Sequence, residues 1–120
     1  MGRRHAPGQG DIYWIDPNPV VGREMTNRHR FVVITSRRIN ALGVCMTIPV
    51  TTGGAFARES GVCVVLAGHD TNGVAVCNQV RTFDLEHRVR MGSAKFVESL
   101  DKETTNEIVS KVLGIIDLQD

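Results

Sequence analysis

The chain is predicted to fold as an α+β domain, with five to six short strands in a small, strongly bent sheet followed by one C-terminal helix. Three observations carry this reading. Runs of five to seven residues rich in β-branched and apolar side chains recur between residues 11 and 80, each bounded by glycine, proline or polar turn residues. Apolar residues at positions 108, 109, 112, 113, 115 and 116 return near helical spacing. A length of 120 residues suffices for one domain with a modest core and is too short for two.

Taken in order, residues 1–9 are basic, carry glycine and proline and lack periodicity, so they read as a flexible arm preceding a single domain over residues 10–120. Residues 11–16 form the first strand, which the Pro17-Asn18-Pro19 segment cannot continue. A polar connection over residues 20–30 holds three arginines, one glutamate and one histidine, a concentration of charge typical of binding loops and of solvated ones. Strand two is expected over residues 31–35, a turn or short helical piece over 37–40 and strand three over 44–50. Residues 61–66 form strand four and residues 74–80 strand five, with Asn72-Gly73 supplying the positive φ of a tight hairpin. Residues 81–87 are expected as a short helix or turn and residues 89–96 as a weaker sixth strand. The final helix has Ser99 or Asp101 as N-cap and buries its apolar stripe on the sheet, with Gly114 suited to a close helix contact. An SH3-like β-barrel of five to six strands with a C-terminal helix fits this order.

Composition excludes several classes. Hydrophobic residues are 42% and charged residues 22% of the chain, values of a globular protein rather than a disordered one. The formal net charge of +1 conceals an uneven distribution, seven arginines against three acids in residues 1–38 and two lysines against six acids in residues 98–120. A basic first third suits nucleic acid, because arginine binds phosphate bidentately, and it also suits a merely solvated basic face. Cys45, Cys63 and Cys77 lie in apolar runs without a Cys-x-x-Cys pair, as buried reduced thiols do. No apolar stretch follows the basic N-terminus and no run approaches membrane-spanning length, so the expectation is a soluble, cytoplasmic protein.

Metal chemistry finds no support: His5, His29, His69 and His87 are scattered, and the cysteines lack zinc spacing. Gly8-Gln9-Gly10 precedes a strand instead of opening a helix, which excludes a dinucleotide or phosphate loop. A Cys-His nucleophile is disfavoured because apolar surroundings raise a thiol pKa, and Asp84 with Glu86 reads as a solvated turn. The stretch that changes chemistry most abruptly is residues 49–58, where an apolar strand end passes into Thr51-Thr52, Gly53-Gly54, Phe56 and Arg58. Hydroxyls and close-approaching backbone suit phosphate, although Thr-Gly-Gly is also ordinary turn chemistry.

Five segments in one order are specific where each alone is not: Gly10-Asp11-Ile12-Tyr13-Trp14 with Asp16-Pro17, Gly22-Arg23-Glu24, Arg28-His29-Arg30-Phe31-Val32-Val33, residues 49–58, and Asn78-Gln79-Val80-Arg81-Thr82-Phe83-Asp84. Over roughly residues 10 to 116 this set resembles the PemK/Kid/MazF toxin family, and the Asn78-Gln79-Val80-Arg81 form is closest to its ChpB-like branch. The resemblance implies an SH3-like homodimer, the toxin of a toxin-antitoxin pair. It implies cleavage of single-stranded RNA, usually messenger RNA, at short sequence motifs without a metal or other cofactor, leaving 2′,3′-cyclic phosphate and 5′-hydroxyl ends. It also implies neutralisation by a small, acidic, partly disordered antitoxin. By the same resemblance Arg30, Thr51 and Glu24 are the catalytic residues, Glu24 being the only carboxylate of its loop and placed to take a proton or orient Arg30. Arg23, Arg28, Thr52, Gly53, Gly54, Phe56, Asn78, Gln79 and Arg81 are the expected substrate-binding residues, Phe56 being able to stack on a base or to fill the core.

Departures from the family pattern narrow the chemistry. Arg23, Val76 and Asn78 stand where the Kid-like branch uses histidine, arginine and aspartate, so that acid-base set is missing and the group that deprotonates the 2′-hydroxyl is unassigned. Phe31 replaces a proline usual after the arginine. Two alternatives follow: a non-catalytic gyrase inhibitor of the CcdB-like kind, whose C-terminal tryptophan this chain lacks, Trp14 being its only one, and an RNA-binding module without activity.

Overall fold

The structure is a computed structural model and describes residues 5–17, 29–52 and 61–117. Seven strands and three helices follow one another within these residues. They are β1 (Asp11–Ile15), β2 (His29–Val33), α1 (Arg37–Asn40), β3 (Cys45–Thr51), β4 (Cys63–Leu66), β5 (Gly73–Val76), β6 (Arg81–Phe83), α2 (Leu85–Met91), β7 (Ala94–Ser99) and α3 (Lys102–Ile116). The strands form one sheet in the order β4-β5-β3-β2-β1-β7, with β6 joined to β3, and every pairing is antiparallel. The sheet is barrel-like but not closed, since β4 and β7 stand at its two ends.

Side chains alternate along each central strand and both faces are covered. Ile12, Val32, Ile48 and Val50 point into one core, which Leu66 of β4 and Ile108 and Val112 of α3 complete. Tyr13, Ile15, Phe31 and Val33 point to the other face and meet Phe83, Leu85 and Ala94 around α2. There the rings of Phe31 and Phe83 stand edge to face at 5.2 Å. Burial on both sides explains why residues 31–33 are apolar without alternation.

Of the arm expected over residues 1–9, residues 5–9 are described, and much of this segment is held against the domain. Asn40 Nδ2 donates to the Pro7 carbonyl at 2.7 Å, Gln9 Nε2 to the Ile34 carbonyl at 2.9 Å, and the Gly8 N–H to Asp11 Oδ2 at 2.8 Å.

Several boundaries differ from the expectations. Strand two begins at His29, not at residue 31, because His29 and Arg30 pair through their backbones with Ile15 and Trp14 whatever their side chains. Strand five ends at Val76, where a turn closed by the Gln79 N–H on the Val76 carbonyl at 3.3 Å frees Asn78 and Gln79 from the sheet. The segment expected as a turn or short helix over 81–87 divides: Arg81, Thr82 and Phe83 pair with β3, and Asp84 then caps α2 by accepting the His87 N–H at 3.1 Å. That helix runs into the residues expected as the sixth strand and stops at Gly92 (φ 84°), so the last strand is β7. Asn72-Gly73 is not a two-residue hairpin turn, since residues 67–72 lie between β4 and β5 and Gly73 opens β5.

Helix α3 starts at its expected cap, Asp101, whose Oδ2 accepts the Thr104 N–H at 3.0 Å. Only part of the apolar stripe faces the sheet: Ile108 and Val112 are buried, whereas Leu113 and Ile116 are each 61% exposed. Residues four apart share a face, so Ile116 lies on the face of Ile108 and Val112 one turn farther along, where that face is no longer covered. Among the described residues Gly114 makes no close contact, as a Cβ built on it would meet nothing within 4 Å.

Ile108→Ala is therefore expected to destabilise the domain by about 2–5 kcal/mol, with Ile116→Ala changing stability by less than about 0.5 kcal/mol. Urea unfolding followed by circular dichroism measures both.

Candidate active site

At the end where β3 leaves the sheet, Trp14, Arg30 and Val50 occupy one cross-strand row, because Trp14 pairs with Arg30 and Arg30 with Val50. Paired residues of antiparallel strands project to the same face, so the row that buries Ile12, Val32 and Ile48 further along becomes polar here. A cleft of about 360 Å³ opens over it, lined by Trp14, His29, Arg30, Val50, Thr51, Thr52, Thr71 and Asn72. A second, more open cleft shares Trp14 and Arg30 with the first and is otherwise lined by Lys95, Phe96 and Val97.

Arg30 is exposed, yet its guanidinium is held. Nη1 donates to Thr71 Oγ1 at 2.9 Å and to the Asp70 carbonyl at 3.3 Å. Thr71 belongs to the segment between β4 and β5, is itself buried, and donates its backbone N–H to Glu98 Oε2 of β7 at 2.6 Å. Burial by itself would raise the Glu98 carboxyl. Hydrogen bonds from the Thr71 hydroxyl and from the Thr71 and Asp70 N–H groups, with His69 adding attraction, outweigh it and hold the carboxyl below its ordinary value. His69 Nε2 lies 3.1 Å from Asp101 Oδ1, which ties the same segment to the start of α3.

Thr51 is the last residue of β3 and pairs with Val74 of β5. Its position depends on Gly73, which has φ 131° and lies so near the Thr51 carbonyl oxygen that a Cβ would collide with it. Glycine satisfies both the dihedral and the approach.

The structure thus brings Arg30, Thr51 and Thr52 to one cleft. Asn78, Gln79 and Arg81 are exposed and lie apart from it within the chain. Arg81 pairs with Thr47, four residues along β3 from Thr51, which at about 3.4 Å per residue is about 14 Å away. Its guanidinium stands 5.3 Å from the centre of the Phe83 ring. Glu24, Arg23, Arg28, Gly53, Gly54 and Phe56 lie outside the described residues.

Cleft residues that sequence reasoning did not select are Trp14, His29, Thr71 and Asn72. Thr71 and Asn72 sat in what read as a plain hairpin turn, and only the pairing of β5 with β3 turns that segment toward Arg30. The thiols of Cys45 and Cys77 are each pushed up to about 11 by burial, which removes both as nucleophiles near neutral pH. Among the described residues no group of three His, Cys, Asp or Glu is placed to hold a metal ion, and no helix is long and apolar enough to cross a membrane.

Two outcomes follow from this geometry. Gly73→Ala is expected to cost more than about 1 kcal/mol and to displace Thr51, read as a lowered urea midpoint and shifted Thr51 amide resonances. Because the Glu98 pKa is depressed in the folded state, its stabilising contribution is complete above the ordinary carboxylate range and is lost as pH falls through the folded value. Glu98→Gln should flatten the fall in unfolding free energy between about pH 5 and pH 3.

The family described as PemK-like, MazF-like toxin of type II toxin-antitoxin system matches residues 8–116. Endoribonuclease PemK of Escherichia coli is 30% identical over 111 residues, covering 90% of this chain and 80% of that protein. Endoribonuclease toxin ChpB of Escherichia coli strain K12, whose branch the Asn78-Gln79-Val80-Arg81 form suggested, is 31% identical over 112 residues, covering 91% of this chain and 93% of that protein. In fold, the chain is similar to a chain of the crystal structure of MazE-MazF (Form-II) from Deinococcus radiodurans, with a TM-score of 0.76 at 21% identity over 94% of this chain and 97% of that one. With a match from residue 8 to residue 116 and relatives at 30% and 31% identity, this chain belongs to the PemK-like, MazF-like family of type II toxins.

Proposed function

We propose that this protein is an endoribonuclease toxin that cleaves single-stranded RNA, messenger RNA included, at short sequence motifs, using the 2′-hydroxyl of the RNA as nucleophile and no metal. The observation that carries the reading is Arg30, a guanidinium held by Thr71 and Asp70 in a cleft it shares with Thr51, in a chain of this family.

In this reaction the 2′-hydroxyl gives up its proton as its oxygen bonds to the adjacent phosphorus. Negative charge accumulates on the phosphorane, the bond from phosphorus to the 5′-oxygen breaks, and that oxygen takes up a proton. The products are a 2′,3′-cyclic phosphate and a 5′-hydroxyl. Arg30 neutralises the charge that develops on the phosphorane oxygens, and Thr51 donates a hydrogen bond to one of them. A guanidinium is a donor with no acceptor site, which excludes Arg30 as the general base. Glu24 is the carboxylate we assign to this site, to accept a proton or to orient Arg30. Thr52, Gly53, Gly54 and Phe56 continue the RNA path beyond Thr51, with Arg23 and Arg28 adding phosphate contacts, and Asn78, Gln79 and Arg81 contact RNA farther along the strand. The protein works in the cytoplasm as a homodimer. Its antitoxin is a small acidic chain, partly disordered when free, that folds over the basic cleft and competes with RNA.

Incubation with single-stranded RNA in excess chelator tests this. Wild-type protein is expected to release fragments ending in cyclic phosphate, Arg30→Ala to cut about 100-fold more slowly or less, and RNA with a deoxyribose at the cut site to remain whole. Intact RNA, binding without cyclic-phosphate ends, or equal cutting by Arg30→Ala would overturn the reading.

A further inference from the structure

We propose that Thr71 and Glu98 are positioning residues of this site, holding the Arg30 guanidinium in its working orientation before RNA arrives; the proposal rests on the endoribonuclease reading. An exposed arginine has many rotamers, and stabilisation of a charge that exists only in the transition state requires donors already in place. Arg30 lies near the open end of β2, in a row whose side neighbours, Trp14 and Val50, offer its guanidinium no oxygen acceptor from their side chains. The acceptor comes from elsewhere: Thr71 Oγ1 at 2.9 Å from Nη1, on a residue 1% exposed.

Thr71 is fixed in turn by a different part of the sheet. Its backbone N–H donates to Glu98 Oε2 at 2.6 Å, and Glu98 sits on β7 opposite Ile12 of β1, the strand that also pairs with β2. The chain of contacts therefore starts and ends on strands locked to β1, with the segment between β4 and β5 pinned between them. His69 fastens that segment a second time, at Asp101. The hydroxyl of Thr71 stands between the guanidinium and the carboxylate, so the arginine is oriented through a neutral group. The chemical steps proposed above use neither residue, which leaves orientation as the role the contacts support.

The test uses the full-length protein and single-stranded RNA under single-turnover and steady-state conditions. Thr71→Val keeps the shape and the N–H contact with Glu98 but removes the acceptor. It is expected to lower kcat about tenfold or more with KM changed less than about twofold, and Thr71→Ser should recover the rate to within about threefold. In the Arg30→Ala background Thr71→Val should have no further effect, because a residue acting through Arg30 has nothing left to act on. The Arg30 Nε–H resonance is expected to be sharp in the wild type and to broaden in Thr71→Val. Wild-type kcat in Thr71→Val, an undiminished loss in the Arg30→Ala background, or an unchanged Arg30 resonance would overturn the proposal. Should Thr71→Val fail to fold, Glu98→Ala decides on the same readouts. Failure of the wild-type protein to cut RNA overturns the endoribonuclease reading instead, and the Arg30 resonance then still decides whether Thr71 orders the guanidinium.

Discussion

Strand β3 is hydrogen-bonded along its length to β2 on one edge and, on the other, first to β6 and then to β5. Its partner changes between Thr47 and Val50, and Pro49 falls in that interval. Proline has no N–H to contribute to a ladder, so the interval where the second edge changes hands is where it can be accommodated in a central strand. From this double pairing follow the two cores, since Ile48 and Val50 face α3 while the opposite face meets α2. The same pairing places Val50 between Arg30 on one neighbouring strand and Ala75 on the other, with Thr51 next along β3 and opposite Val74.

The site is a polar end to an apolar row. A buried strand face carries Ile12, Val32 and Ile48, and one step further along the same face carries Trp14, Arg30 and Val50, where the core opens to solvent. Charge at such an edge needs fixing, because the sheet supplies backbone order but leaves a long side chain loose. Here the fixing comes from Thr71, Asp70 and Glu98, drawn from a loop and from the strand at the far edge of the sheet. Proton-accepting capacity is managed in the same network: Glu98 is kept ionised by the N–H groups and hydroxyl that it holds in place.

Local chemistry accounts for how much could be read in advance. Apolar runs bounded by turn residues located β1, β2, β3, β4 and β5 to within a few residues, and the carboxylate before Thr104 marked the start of α3. Residues 81–99 were harder, because a three-residue strand pairs through its backbone and its side chains, Arg81 and Thr82, carry no strand periodicity. The exposed end of α3 misled in the opposite way, since apolar residues at 113, 115 and 116 satisfy a helical period without having a sheet to face.

The site divides along the same line. The amino-acid order by itself determined the α+β class and the reduced state expected of buried cysteines, because these follow from side-chain type and near spacing, whereas Arg30 and Thr51 were expected as a pair only through the resemblance of five ordered segments to a toxin family. Only the tertiary structure decided that Arg81 stands about 14 Å along β3 from Thr51 and that a segment resembling a plain turn delivers Thr71 to Arg30. Contacts between residues 30, 71 and 98 are set by strand register across β2, β1 and β7, and register is a property of the assembled sheet that no stretch of sequence around any one of them contains.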